Sequence, residues 1–401
     1  MTPEVKKRIA QIRRGEVPEG YQKTKQEIRP IDWQIKTIGT CLERIGKPVQ
    51  VQPDEMYTQI GIRSHGKGLF YKEPVSGKSL GNKAVFWIEP DCFVLNIVFA
   101  WEQAVGKTTK SEMGMIGSHR FPMYRPINGQ VDIDYLISYF LTKRGTDILE
   151  AASPGGAGRN KTLGQDRFFK SKIILPSPEE QQKIAEILTT QDRVIELKEK
   201  LIAEKQCQKK YLMQQLLTGK KRLPGFQKSW NTVELSDIFD YLQPTPYLVK
   251  STDYSAGFKT PVLTAGKTFI LGYTNETEGI YTELPAVIFD DFTTDSKYVD
   301  FPFKAKSSAM KILKIKDGYN IIFAYNSMQI IKYVVAGHER NWISKYSKLT
   351  IDIPDIEEQN AIASVLSTAD REIELLQQDL EQEKQKKKAL MQLLLTGIVR
   401  V

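Results

Sequence analysis

Apolar residues recur along two stretches of this chain in the same steps. Ile184, Leu188, Ile195 and Ile202, and then Ile362, Leu366, Ile373 and Leu380, are spaced by four, seven and seven positions. So narrow a stripe predicts the seam of a helix pair, a coiled coil, rather than the broad face of a core helix. Each stretch opens on a helix-start signal: Ser177 stands three residues before Glu180, and Asp355 three before Glu358. There a short polar side chain accepts from the first free N–H groups of the helix. Each stretch closes on "LMQ.LLTG", ending at Gly219 and Gly397, and glycine tolerates the left-handed backbone that follows a helix. Between these signals about 40 residues lack proline and glycine, enough for a helix of about 60 Å.

The two stretches are one repeat. Pro176 set against Pro354 gives a constant offset of 178 with no gap through the closing glycines. Identical pairs include Glu179/Glu357, Glu180/Glu358, Gln181/Gln359, Asp192/Asp370 and Arg193/Arg371. A shorter echo stands ahead of each copy, where Trp33, Ile38, Leu42 and Ile45 match Trp230, Leu235, Phe239 and Leu242. It predicts a tryptophan-led opening helix in each half. The chain reads as two cassettes: a leader (1–20), a first body (21–175), a long helix (176–222), a second body (223–353) and a second long helix (354–401). The middles of the bodies do not align. Body one carries β-like runs in "KAVFWIEP" and "CFVLNIVFA", one amphipathic helix "DIDYLISYFLTKRGTDIL", and a strand "KSKIILP" leading into the long helix. Body two has similar runs, and "NIIFAYNSMQIIKYV" suits strand or helix equally. The fold class is α+β.

Composition narrows the role. At 401 residues the chain is too long for one ordinary core. No apolar run is long enough to span a bilayer. The charged start lacks a signal-peptide core, and Cys41, Cys92 and Cys207 form neither a disulfide framework nor a CxxC site, so a reducing cytoplasm is expected. A net charge of +9 favours a polyanionic partner, with nucleic acid foremost. Basic, hydroxyl-rich loops supply the groups that would touch DNA. They are Arg63, Ser64, His65 and Lys67; Lys107, Thr108 and Lys110; His119 and Arg120; Arg159, Asn160 and Lys161 in body one. In body two they are Lys267, Tyr273, Thr293, Thr294, Lys297, Ser307, Ser308 and Lys311. Such side chains donate to phosphates and guanine edges or read bases by hydrogen bonding.

Motifs for chemistry do not hold. Gly61 to Lys67 has the spacing of a phosphate-binding loop, but Gly68 stands where a Ser or Thr would hold magnesium. Asp290, Asp291 and Asp295 with Lys297 suit a metal-dependent nuclease or a plain polar turn. His65, His119 and His338 are too scattered for a metal set. The Asn/Asp-Pro-Pro-aromatic tetrad of a base-amine methyltransferase is missing from the sequence. No catalytic residue and no metal ligand is predicted.

The paired "P..EEQ..IA..L.T.DR.IEL" and "LMQ.LLTG" segments, with "WQIKTIG" and "LPGFQKSW" ahead of the bodies, resemble the specificity subunits of type I restriction-modification systems over essentially the whole chain. "IRSHGKG", "SHRFPMYRP", "GRNKT", "FDDFTT" and "SSAMKIL" are similar to recurring segments of that family's recognition domains. The resemblance implies two target-recognition domains separated by two long helices packed antiparallel. It implies a non-catalytic reader of double-stranded DNA, each domain taking one half of a split, asymmetric site. Two adenine methyltransferase subunits, carrying S-adenosylmethionine, and restriction subunits, using ATP and Mg, would dock on this frame; the chain itself would bind no cofactor and no membrane. The rival reading is a coiled-coil scaffold that binds proteins, its basic loops incidental.

Overall fold

The repeated stripes fold into two 39-residue helices, Pro178–Leu216 and Ile356–Leu394. Their predicted caps form: Glu180 N donates to Ser177 Oγ at 3.2 Å and Glu358 N to Asp355 Oδ1 at 3.0 Å. Gly219 and Gly397 adopt φ of +66° and +70°, a conformation costly for any residue with a Cβ. The computed structural model describes the whole chain except residues 1, 25–26, 82, 156–160, 267 and 336–339.

The chain divides into two compact units whose boundary falls inside both long helices. The first comprises Met1–Leu197 with Leu380–Val401, and the second Lys198–Asp379. Within each unit the helices run antiparallel. In the first, Gln191 Nε2 donates to Glu383 Oε2 at 2.6 Å and Lys387 pairs with Asp192. In the second, Lys198 pairs with Asp379, Lys205 with Glu372 at 2.6 Å and Lys209 with Asp370 at 2.5 Å. Lys209–Asp370 and Lys387–Asp192 are the same pair under the 178 offset. As partly exposed pairs each contributes about 1 kcal/mol or less, so they set register more than stability.

Each unit also holds a head, and the two heads share a plan that their sequences conceal. In the first, Leu42–Ile45 edges a four-stranded antiparallel sheet and is followed in space by Met123–Pro126, Cys92–Leu95 and Val105–Thr108. In the second, Phe239–Leu242 edges a sheet continued by Met310–Ile315, Ala286–Asp290 and Ser296–Val299. Numbered along the chain, both sheets run 1-4-2-3. In both, the strand after the leading tryptophan pairs with the strand that enters the long helix: Gln34–Thr37 with Lys172–Leu175, and Asn231–Glu234 with Thr350–Ile353. Each head also carries a smaller three-stranded sheet.

Three expected helices are corrected. The tryptophan-led openings are strand, single helical turn and strand, with only Ile38–Cys41 and Leu235–Ile238 helical. Flanking β pairing leaves one turn to bury Ile38 and Leu235, both 0 % exposed. The "DIDYLISYF..." segment forms two helices, Ile133–Phe140 and Lys143–Ala151, because Thr142 caps the second through Gly145 N at 3.1 Å. The undecided "NIIFAYNSMQI" segment is helical over Ile321–Ile330, capped by Asn320.

The apolar stripe does two jobs. Ile184 and Leu188 join the core of the first head together with Leu394 and Leu395. Ile362 and Leu366 do the same in the second with Leu216 and Leu217. Farther along, Ile202 is buried, while Ile195, Ile373 and Leu380 are half-buried. Lysine at Ile184 or Ile362 is therefore expected to cost about 3 kcal/mol or more, because apolar burial is lost and a charge is forced into a core. At Ile195 or Ile373 the cost should be about 1 kcal/mol. Urea unfolding of the four variants checks the order, and equal losses would contradict it.

Candidate nucleic-acid interface

Two buried glutamates root the heads on the helices. Glu180 accepts from the Trp33 indole at 3.2 Å and from Arg400 Nε and Nη2 at 2.6 and 2.8 Å. Glu358 accepts from the Trp230 indole at 3.2 Å and from Arg222 Nε and Nη2 at 2.6 and 2.5 Å. Such two-point arginine–carboxylate contacts fix orientation as well as adding energy. The next residue is equally bound. Gln181 accepts from Asp132 N at 3.0 Å and donates to Pro176 O, while Gln359 accepts from Asn320 N at 2.9 Å and donates to Pro354 O. Asp132 and Asn320 cap the helix that follows the fourth sheet strand in each head. The repeated Glu-Gln thus ties long helix, leading tryptophan and head helix together. The arginines were legible as Gly219-x-x-Arg222 and Gly397-x-x-Arg400, a continuation of the repeat past its closing glycine.

On the first head, three of the candidate loops converge on the turn formed by residues 96–104. The hairpin tip joining Ile60–Ile62 to Leu69–Tyr71 reaches it through His65 N to Glu102 O at 2.8 Å and Gly66 N to Gln103 O at 2.9 Å. Ser64 Oγ lies 3.0 Å from Glu102 Oε2. The His119–Arg120 loop is tied by Ile97 N to Arg120 O at 3.0 Å, and Lys161 Nζ lies 5.2 Å from the Trp101 ring centroid. Arg63, His65, Lys67, His119 and Arg120 are exposed, and His119 with Arg44, Phe86 and Phe121 lines a cleft of about 260 Å³. Because residues 61–67 form a hairpin, the phosphate-loop spacing has no helix behind it. Lys110 is exposed away from this turn, at the start of the short helix Lys110–Glu112, and Lys107 is paired with Asp134 at 2.7 Å.

In the second head the equivalent focus is the turn 290–295. Asp290 Oδ1 accepts from Phe292 N and Thr293 N at 2.9 and 2.8 Å, and Asp291 N donates to Ala309 O at 3.0 Å, which brings Ser307 and Ser308 alongside. Thr293, Ser307 and Ser308 are exposed; Thr294 and Lys297 are half-buried, as is Tyr273 on Ile270–Thr274. Asp291 is 1 % exposed and pairs with Lys311, itself 0 % exposed. That burial turns the aspartate cluster into an anchored polar turn.

Two expected contacts are overturned. Thr108 is 0 % exposed and donates to Glu89 O at 2.7 Å, and Lys311 is engaged by Asp291 and Gln243, so neither can face a groove. In strand Val105–Thr108 both faces are covered and only Lys107 is half-buried, and in Met310–Ile315 the four residues from Met310 to Leu313 are all buried. Arg159, Asn160 and Lys267 lie outside the described residues, as does His338. The sequence reading missed Phe99 and Trp101, which stand in the turn where the loops meet. Among the described residues no helix is long and apolar enough to cross a membrane.

Two α+β heads with one sheet order, each locked by the same residues to a long helix, define a two-headed architecture with polar loop surfaces. The family described as type I restriction modification DNA specificity domain matches residues 91–204 and 227–384, and the chain belongs to it. It is similar to the Escherichia coli type I restriction enzyme EcoR124I/EcoR124II specificity subunit, 50% identical over 141 residues, though this covers only 33% of the chain and 34% of that protein. A putative type I restriction enzyme MjaX specificity subunit from Methanocaldococcus jannaschii is 26% identical over 96% of this chain and 97% of its own length. Among solved structures, the type I restriction-modification S subunit from M. genitalium aligns with a TM-score of 0.58 at 14% identity, covering 91% of this chain and 96% of that one. The chain is therefore a specificity subunit, a non-catalytic DNA-recognition protein.

Proposed function

We propose that residues 21–175 and 223–353 each act as a target-recognition domain and that each reads one half of a bipartite, asymmetric DNA site. The observation that carries this reading is the twofold use of one frame: the same sheet order and the same Trp-Glu-Arg-Gln root support two surfaces whose loops differ completely. A frame held constant beneath different loops suits two half-sites of different sequence. Two DNA adenine methyltransferase subunits, bringing S-adenosylmethionine, would dock on the repeated helices, one per copy. Restriction subunits would bring ATP, Mg and cleavage. The two long helices would set the number of base pairs between half-sites, as spacing follows geometry in other two-headed readers.

The test is to exchange residues 21–175 for the corresponding body of another such subunit and to map modified adenines genome-wide in cells that supply the methyltransferase. One half-site should change and the other persist. Alteration of both halves would defeat the assignment of one head to each half. A scaffold indifferent to DNA would instead bind with little dependence on salt, whereas several phosphate contacts make affinity fall steeply as salt rises.

A further inference from the structure

In each unit the turn on which the candidate loops converge presents a phenylalanine to solvent. Phe292 is 39 % exposed and Phe99 is 36 % exposed. Single exposed apolar residues are ordinary; what sets these two apart is how their turns are held. Every polar group of Asp291, the neighbour of Phe292, is engaged. Its N–H reaches Ala309 O, and its carbonyl accepts from Asn341 N at 2.9 Å and Asn341 Nδ2 at 3.0 Å. Its carboxylate accepts from Trp342 N at 2.8 Å and faces Lys311 Nζ at 3.2 Å. With Asp291 fixed inward and Phe292 N tied to Asp290, Phe292 is left exposed on a turn that also exposes Thr293 and is bonded to the segment carrying the exposed Ser307 and Ser308.

The turn carrying Phe99 is fixed by different residues. Phe99 N donates to Asn96 O at 3.0 Å, and its carbonyl accepts from Glu102 N and Ala104 N at 3.0 and 3.1 Å. Left-handed backbone at residues with side chains marks both places: φ is +58° at Gln103 and +60° at His65, whose segments are hydrogen-bonded to each other, and +61° at Thr294. Such strain persists only where the surroundings over-determine it, and it gathers at functional surfaces. A rigid turn holding an aromatic ring in water, flanked by polar loops, has already lost the conformational freedom that binding would otherwise remove.

We propose that Phe292 and Phe99 are specificity-determining residues that make apolar contact with base pairs, each in the half-site read by its own head. Apolar side chains against DNA cover thymine methyl groups or wedge between base steps, and neither contact touches a phosphate. The inference rests on the DNA-reading role proposed above, and its test keeps the two separable.

The half-sites are first mapped with the unaltered chain in complex with its methyltransferase subunits; if no bipartite sequence is modified, the DNA-reading role fails before any variant is made. Binding of Phe292→Ala and Phe99→Ala complexes is then measured on duplexes carrying the mapped site, single-pair changes in each half, or unrelated sequence. Each variant should lose about tenfold or more on the mapped site, the scale of one base contact. The loss should vanish on duplexes already changed at one pair of the variant's own half, and persist on duplexes changed in the other half. Affinity for unrelated DNA and the salt slope should hold. Phe292→Asn and Phe99→Asn, residues suited to turns, repeat the measurement should alanine disturb folding. Wild-type affinity, or an equal loss on all duplexes, would overturn the proposal.

Discussion

Replacing Asp291 with alanine should destabilise the second unit by about 3–5 kcal/mol, the usual result of removing one partner from a buried charge pair. Lys311 would remain in the core with Gln243 Oε1, at 3.0 Å, as its neutral acceptor, and with the Tyr241 ring centroid 5.9 Å away. The backbone N–H of Trp342 would also lose its acceptor, and Trp342 is 1 % exposed, stacked with Tyr346 and edge-on to Phe239 and Phe289. Urea unfolding followed by tryptophan fluorescence measures the loss. A double change, Asp291→Leu with Lys311→Met, should recover much of it, since an apolar pair of similar volume can replace a buried ion pair at little cost. If Asp291→Ala left the midpoint unmoved, the aspartate would have to be explained by something other than this anchoring.

Arg400→Ala should weaken the first unit by about 3 kcal/mol. Arg400 spans two carboxylates, Glu180 at 2.6 Å and Asp32 at 2.7 Å, and the Glu180 side chain is 6 % exposed. Without the guanidinium, Glu180 keeps the Trp33 indole as its side-chain donor, and a nearly buried charge is left undercompensated. Removing residues 397–401 should cost more. Tyr21 Oη donates to Gly397 O at 2.7 Å, and a Cβ at Gly397 would lie 2.6 Å from Pro30 and 3.0 Å from Trp33, so the chain end fits closely against the first head. The corresponding Arg222 stands eight positions before Trp230 in the same covalent segment. Arg222→Ala should therefore leave its segment attached, and its loss should be the smaller. Comparing the unfolding midpoints of the three variants decides this. The hydrogen bond from Arg400 holds the Asp32 carboxyl below its ordinary range. Asp32's share of the pair is thus present at neutral pH and lost only as pH falls through that lowered value. Because Asp32 is mostly exposed, that share is the minor one.

The sequence carried the helices because their signals are local. A capping residue, a spaced apolar stripe and a terminal glycine act within a few turns, and all three reappear in place at Ser177, Ile184 and Gly219. The opening segments misled because an apolar step pattern of five, four and three does not reveal that its flanks are already paired as strands. Thr108 and Lys311 misled for a related reason: a residue type suited to DNA says nothing about whether the strand carrying it is covered on both faces. The middles of the heads would not align, yet they build one sheet order, because long-range pairing constrains where strands lie and not which apolar residues fill them.

By itself the sequence determined that this protein has two similar halves, each closing on a long helix, and that its loops carry groups fit for DNA. Only the tertiary structure decided which halves close on which. The phrase ending at Gly219 joins the second head, whereas the phrase ending at Gly397 returns to the first, where Tyr21, Trp33 and Glu180 receive it. Local signals specify a helix end. They cannot say what that end will meet: the Gly397 end finds Tyr21 and Glu180 more than 200 positions away, chosen by packing, charge and fit.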